Sequence, residues 1–120
     1  MMQMNIPTQK AEISISEFDK LDIRVGTILA AETFPEARKP AYKLQINLGI
    51  IGTKWSSAQI THHYKPEDII GRQVIVLVNL PKLKIANFYS ECLVLGIYDP
   101  DGNVILLNAG KKMPDGSVIG

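Results

Sequence analysis

The sequence is poor in the features that most often announce an activity. It holds a single cysteine, Cys92. One cysteine builds neither an internal disulfide framework nor a cysteine-rich metal site, and a reducing cytoplasm is the compartment expected. No apolar run approaches the roughly 20 residues of a membrane-spanning helix, so no membrane partner is expected. Residues 1–10 are polar and lack the apolar centre of a secretory signal. There is no glycine-rich phosphate loop, no internal repeat and no low-complexity tract. The only histidines, His62 and His63, are adjacent. Neighbours on a strand point to opposite faces and make a poor joint metal site. Cys92 sits in an apolar stretch without an evident partner and reads as an inert core thiol. Asp99 and Asp101 fall in a turn and read as structural. Neither catalysis nor a metal or cofactor is expected.

What the sequence does hold suits one domain with one core: 120 residues, 46% hydrophobic and 21% charged. The net charge of +1 hides an uneven distribution. Between Arg38 and Lys84 stand eight basic and two acidic residues, a balance of +6. The flanks are acidic, −3 before Arg38 and −2 after Lys84. A basic middle can attract an anion locally even in a nearly neutral chain.

The clearest periodicity is at Tyr42, Leu44, Ile46 and Leu48, which alternate with Lys43, Gln45 and Asn47. That is a half-buried strand. Ile23–Ala31 reads as a strand before it, with Gly26 expected at a bulge or bend. Thr53–Ile60 reads as a third strand. Pro66–Ile70 opens with proline and acids and stops at Gly71, a helix of one or two turns. Val74–Val78 and Cys92–Leu95 are apolar and β-branched, hence strands. Asp101-Gly102 marks a hairpin turn with Val104–Leu107 returning, and Val118-Ile119 adds a final apolar pair. Ser16, followed by Glu17, is expected to cap a short N-terminal helix. Residues 1–15 are expected to form a flexible tail ahead of one domain, residues 16–120.

Strands dominate, and the one internal helix falls between the third and fourth. The layout is all-β: a five-stranded OB-fold barrel with a short helix between strands 3 and 4, an N-terminal helix and a C-terminal β extension. An OB-fold takes oligonucleotides on strands 2 and 3 and on the loops joining strands 1–2 and 4–5. The first loop, Thr33–Ala41, carries Arg38 and Lys39. The second, Leu80–Tyr89, carries Lys82 and Lys84. Strand 2 offers Lys43, and strand 3 offers Lys54, Ser56, Ser57 and Gln59, with Trp55 between them. Such a surface suits RNA: lysines take phosphates, amides and hydroxyls reach base edges or 2′-OH groups, and rings stack. Blander readings stand beside these. Loop lysines are commonly just solvated, Trp55 is expected to be partly core, and Asn79 can simply hold a turn. Ile50, Ile51, Phe88 and Tyr89 lie in or beside turns and are candidates for exposed apolar surface able to hold an unfolded peptide.

Leu21-Asp22-Ile23-Arg24-Val25-Gly26, Ser56-Ser57-Ala58-Gln59-Ile60, and Asn79-Leu80-Pro81 with Lys82-Leu83-Lys84-Ile85-Ala86 before Ser90-Glu91 resemble, in order, the tRNA-binding domain. Phe34-Pro35-Glu36-Ala37-Arg38 and the run Trp55 to Gln59 resemble the CsaA-type export-related chaperones of that family. The resemblance covers Phe18 to Gly120. It implies a homodimer joined through the N-terminal helix region and the C-terminal strands. It implies tRNA or another structured RNA as partner, with unfolded or preprotein polypeptide as the alternative. It also adds Asn79, Ser90 and Glu91 to the candidate RNA-binding residues. Typical members carry lysine, methionine, arginine and glycine where this chain has Lys84-Ile85-Ala86-Asn87, so one cation is missing at Ala86. Asparagine tolerates a left-handed backbone, and Asn87 is expected to let the turn survive in the glycine's place.

Overall fold

A computed structural model describes residues 7–120; residues 1–6 of the expected tail lie outside the described part. The first element, α1 (Ile15–Phe18), is one turn. Its cap is Ser14 rather than Ser16. Ser14 Oγ accepts the Glu17 N–H at 3.1 Å, and Glu17 Oε1 accepts the Ser14 N–H at 3.0 Å. This reciprocal pair needs a glutamate or glutamine three positions after the cap; Ser14 has Glu17 there, whereas Ser16 has only the shorter Asp19.

The barrel is built from β1 (Ile23–Thr33), β2 (Tyr42–Asn47), β3 (Thr53–Ala58), β4 (Gln73–Leu77) and, further on, β7 (Leu93–Val94). They lie in the order β3-β2-β1-β4-β7, all antiparallel. β2 follows its alternation: Tyr42, Leu44 and Ile46 are buried, while Lys43, Gln45 and Asn47 are half-exposed. β1 is long enough to pair on both sides. Its bulge lies at the register shift between Ile28 and Ala30, not at Gly26. Gly26 answers a different need. A Cβ there would stand 2.6 Å from Ile46 Cγ2 and 3.0 Å from the Asn47 carbonyl oxygen, so only glycine lets β1 cross β2 this closely.

The barrel interior is filled by Ile28, Leu44, Ile46, Leu48, Ile69, Val74 and Val76, all fully buried. Ile69 comes from α2 (Pro66–Ile69), the expected helix between β3 and β4, and plugs one end. Burying such a side chain contributes about 1.5–3 kcal/mol.

β3 and β7 are the open edges of the sheet, and the segment before β7 draws them together. Glu91 N–H donates to the Trp55 carbonyl at 2.8 Å. Trp55 N–H donates to Glu91 Oε1 at 3.0 Å, Ser57 N–H to Ser90 Oγ at 3.0 Å, and Ser56 Oγ to the Cys92 carbonyl at 2.9 Å. Side chains thus replace most of a missing ladder and nearly close the barrel.

Three smaller pieces decorate it. β5 (Leu83–Ile85) and β6 (Phe88–Ser90) form a hairpin inside what reads from sequence as a plain loop. β8 (Gly96–Tyr98) and β9 (Val104–Leu106) form the expected hairpin at Asp101-Gly102. Gly102 has φ +85°, and Asp99 Oδ1 accepts the N–H groups of Asp101 and Asn103. β10 (Val118–Ile119) pairs with the start of β1, and Gly116 N–H donates to Val25.

Candidate nucleic-acid interface

The pleat decides which side chains on β2 and β3 share the outer face. Lys43 pairs with Ser57, and Gln45 with Trp55. These four, with Asn47, point away from the barrel interior. Lys54 has the opposite parity. It lies opposite buried Ile46 and on the face of Ser56 and Ala58, so it does not join the outer row expected for it; half-buried, it lies on the interior side.

Several other expected contacts are engaged within the fold. Ser56 is 0% exposed and spends its hydroxyl on Cys92. Ser90 is buried and receives the Ser57 N–H. One Glu91 oxygen holds Trp55 N–H, and the other lies 3.9 Å from Lys82 Nζ. Asn79 Oδ1 accepts the Asp22 N–H at 3.0 Å, and its Nδ2 donates to the Lys20 carbonyl at 2.7 Å. Asn79 therefore staples the segment before β1 to the end of β4. The motifs at Ser56, Asn79, Ser90 and Glu91 are accounted for by closing and bracing the barrel.

The remaining candidates are disposed differently. Arg38, Lys39, Gln59, Lys82 and Lys84 are exposed. Among the described residues, Arg38, Lys39 and Lys84 make no ion pair, and Lys82 makes only the long one to Glu91. Lys39, Ser57 and Gln59 are brought together along a groove of about 590 Å³, with His62, Val94 and Tyr98 on its other walls. Arg38 faces a separate depression of about 380 Å³ beside Phe34 and Tyr42. Lys82 and Lys84 line neither. They stand on and beside the β5–β6 hairpin, where Lys84 pairs with Tyr89. The left-handed residue of that hairpin is Ala86, φ +53°, and not Asn87. The position that lacks the family's cation is also the one that bends the chain.

An aromatic cluster on this outer side was not legible in the sequence. The Phe34 and Phe88 rings meet edge to face with centroids 5.3 Å apart, and Phe88 meets Trp55 at 6.0 Å. Lys43 Nζ lies 4.8 Å from the Phe34 centroid and 5.5 Å from that of Phe88. Of the four candidates for exposed apolar surface, Ile50 is 95% exposed and Tyr89 is exposed. Ile51 instead packs on the core, and Phe88 packs on Phe34 and Trp55.

Burial pushes the Cys92 thiol up to about 11, so it is protonated at neutral pH. The hydrogen bond from His63, at 2.7 Å, with help from the Asn103 N–H, lowers the Asp99 carboxyl below its ordinary value. His63 thereby ties the β8–β9 hairpin to the turn before α2. Among the described residues no cluster of histidine, cysteine, aspartate and glutamate could hold a metal ion, and no helix is long and apolar enough to cross a membrane.

Residues 23–118 match the protein family described as "Putative tRNA binding domain". The methionine–tRNA ligase of Methanocaldococcus jannaschii is 39% identical over 108 residues, which are 90% of this chain and 16% of the ligase. That of Bacteroides fragilis is 34% identical over 110 residues, again 16% of the ligase. The chain thus spans about a sixth of the length of the curated relatives it matches. A crystal structure of the chaperone CsaA from Bacillus anthracis shares 46% identity at a TM-score of 0.87, covering 92% of this chain and 100% of that one. The CsaA chaperone protein of Picrophilus torridus shares 49% at 0.85, covering 91% and 100%. An OB-type barrel with these matches along nearly its whole length identifies the chain as a member of the tRNA-binding domain family, similar in structure to the CsaA chaperones.

Proposed function

We propose that this chain is a non-catalytic RNA-binding module that takes tRNA or another structured RNA across the outer face of β2 and β3. The observation that carries this reading is the placement of Arg38, Lys39 and Lys84. They are exposed, free of carboxylate partners among the described residues, and borne by the two segments that border that face. Unpaired cations at the rim of a sheet release counterions when they meet phosphates, which supplies most of the affinity for a nucleic acid backbone. Ser57 and Gln59 in the groove offer hydrogen bonds to bases or 2′-OH groups. Family membership and the likeness to parts of methionine–tRNA ligases favour tRNA among RNAs.

The module works as a homodimer in the cytoplasm on this reading. Ile13 and Ile15 at α1, and Ile97, Tyr98, Ile105 and Val118 in the C-terminal strands, expose apolar side chains, and a two-fold axis would bury them twice over. The test is to purify the protein without nuclease and identify the nucleic acid that travels with it at low salt. Recovery of tRNA, and a tRNA gel shift near physiological salt, is the expected result. Recovery of none, together with no shift, overturns the reading.

A second reading, a chaperone that binds unfolded or exported polypeptide, is favoured by the two CsaA likenesses and by the exposed Ile50 and Tyr89. It requires suppression of aggregation of an unfolded client, and failure in that assay removes it.

A further inference from the structure

Phe34 lies just beyond the end of β1, on the loop side, yet it is only 3% exposed and is not part of the barrel core. Its burial comes from outside the barrel, where it meets Phe88 of the β5–β6 hairpin. The two rings sit at the roots of the two basic segments: Arg38 follows Phe34 by four residues, and Lys84 precedes Phe88 by four. Over both rings stands the Lys43 ammonium, half-buried and without an ion-pair partner among the described residues. An ammonium over aromatic faces is held by the ring quadrupoles, and more firmly as water is excluded. These two contacts hold the ammonium in place before any ligand arrives.

We propose that Lys43 is a positioning residue for RNA: its ammonium, seated on Phe34 and Phe88, locks the β1–β2 loop against the β5–β6 hairpin and so sets the relation of Arg38 and Lys39 to Lys82 and Lys84, without neutralising a phosphate itself. This rests on the RNA-binding reading above. It separates Lys43 from the exposed lysines by mechanism, since a positioning residue changes affinity but not the number of counterions released.

The experiment compares wild type, Lys43→Met, Lys43→Arg and Lys82→Ala. Methionine keeps the stem and removes the charge; arginine keeps a cation over the rings. Affinity for unfractionated tRNA is measured across a salt series. In parallel, without RNA, amide hydrogen exchange is followed at Ala37, whose N–H donates to the Phe34 carbonyl at 3.2 Å within the loop. Lys43→Met is expected to weaken tRNA binding by about three- to tenfold with an unchanged salt slope, and to speed Ala37 exchange by a similar factor, the order expected for a part-buried cation–ring contact. Lys43→Arg restores both. Lys82→Ala lowers the slope by about 0.7–0.9 if that residue meets a phosphate. A slope loss in Lys43→Met, with Ala37 exchange unchanged, makes Lys43 a phosphate ligand and overturns the proposal. Unchanged affinity and exchange overturn it as well. If wild type binds no tRNA, the RNA reading fails, and the exchange measurement alone decides whether Lys43 locks the loop.

Discussion

Ser56 offers the sharpest separation between bracing the barrel and touching a ligand. Its hydroxyl, fully buried, donates to the Cys92 carbonyl at 2.9 Å; among the described residues the only other side-chain contact to that oxygen is Ser90 Oγ at 3.4 Å. Ser56→Ala removes the short bond and leaves a carbonyl poorly satisfied beside the core. A buried acceptor left this way costs about 1–3 kcal/mol. The remaining long contact from Ser90 argues for the lower half of that range, about 1–2 kcal/mol. With a urea m-value on the order of 1–3 kcal/mol/M for a small domain, the midpoint should fall by roughly 0.3–2 M. The assay is urea unfolding followed by circular dichroism, paired with tRNA binding in the absence of denaturant. The expected outcome is a lower midpoint with tRNA affinity within about twofold of wild type. An unchanged midpoint, or lost affinity at an unchanged midpoint, would refute the reasoning and return Ser56 to the ligand face.

Other consequences follow from single features. Ala86→Gly should raise stability by about 0.5–1 kcal/mol, because Ala86 is held at φ +53° and glycine occupies that region freely; thermal unfolding reads it, and a loss of stability would count against the hairpin geometry. Cys92, with its thiol near 11 and buried, should resist maleimide at pH 8 in the native state and react at once in denaturant. Rapid native labelling would contradict the closed β3–β7 seam. Asp99 has a lowered folded-state pKa, so its share of stability is present above the ordinary carboxylate value of 3.8 and is lost as pH falls through the lower folded value. Asp99→Asn should therefore lower stability at neutral pH and flatten the acid limb of the stability–pH curve. A parallel curve displaced downward would show that the ionised carboxylate adds nothing beyond its shape.

What could be read in the sequence was what depends on near neighbours. The alternation of Tyr42 to Leu48 forecasts β2 because each residue reports its own face. Pro66 and Gly71 bracket α2 because both act on their local backbone. The Asp101-Gly102 turn needs nothing beyond its own hairpin. What was not legible depends on distant partners. Ser56, Ser90 and Glu91 look like a polar surface until β3 meets the segment before β7, some 33 to 36 residues away. Lys54 carries a charge that suits the wet face, but its parity on the pleat, which depends on register with β2, places it opposite Ile46. The β5–β6 hairpin has no local signature, because its strands have three residues each and its turn, Ala86-Asn87, lacks a glycine. Phe34 and Phe88 stand 54 residues apart in the chain, and nothing local to either marks their contact. The exposure of Arg38, Lys39, Lys82 and Lys84 was legible, because charged loop residues keep their heads in water.

The account rests on those cations, and a salt titration tests them most directly. Affinity for unfractionated tRNA should be measured between about 50 and 200 mM salt for wild type and for Lys82→Ala/Lys84→Ala. If both lysines meet phosphates, the slope of log K against log salt falls by about 0.7–0.9 for each, and affinity drops across the range. An unchanged slope and affinity in the double variant would remove the β5–β6 segment from the interface and contradict the proposed mode of binding.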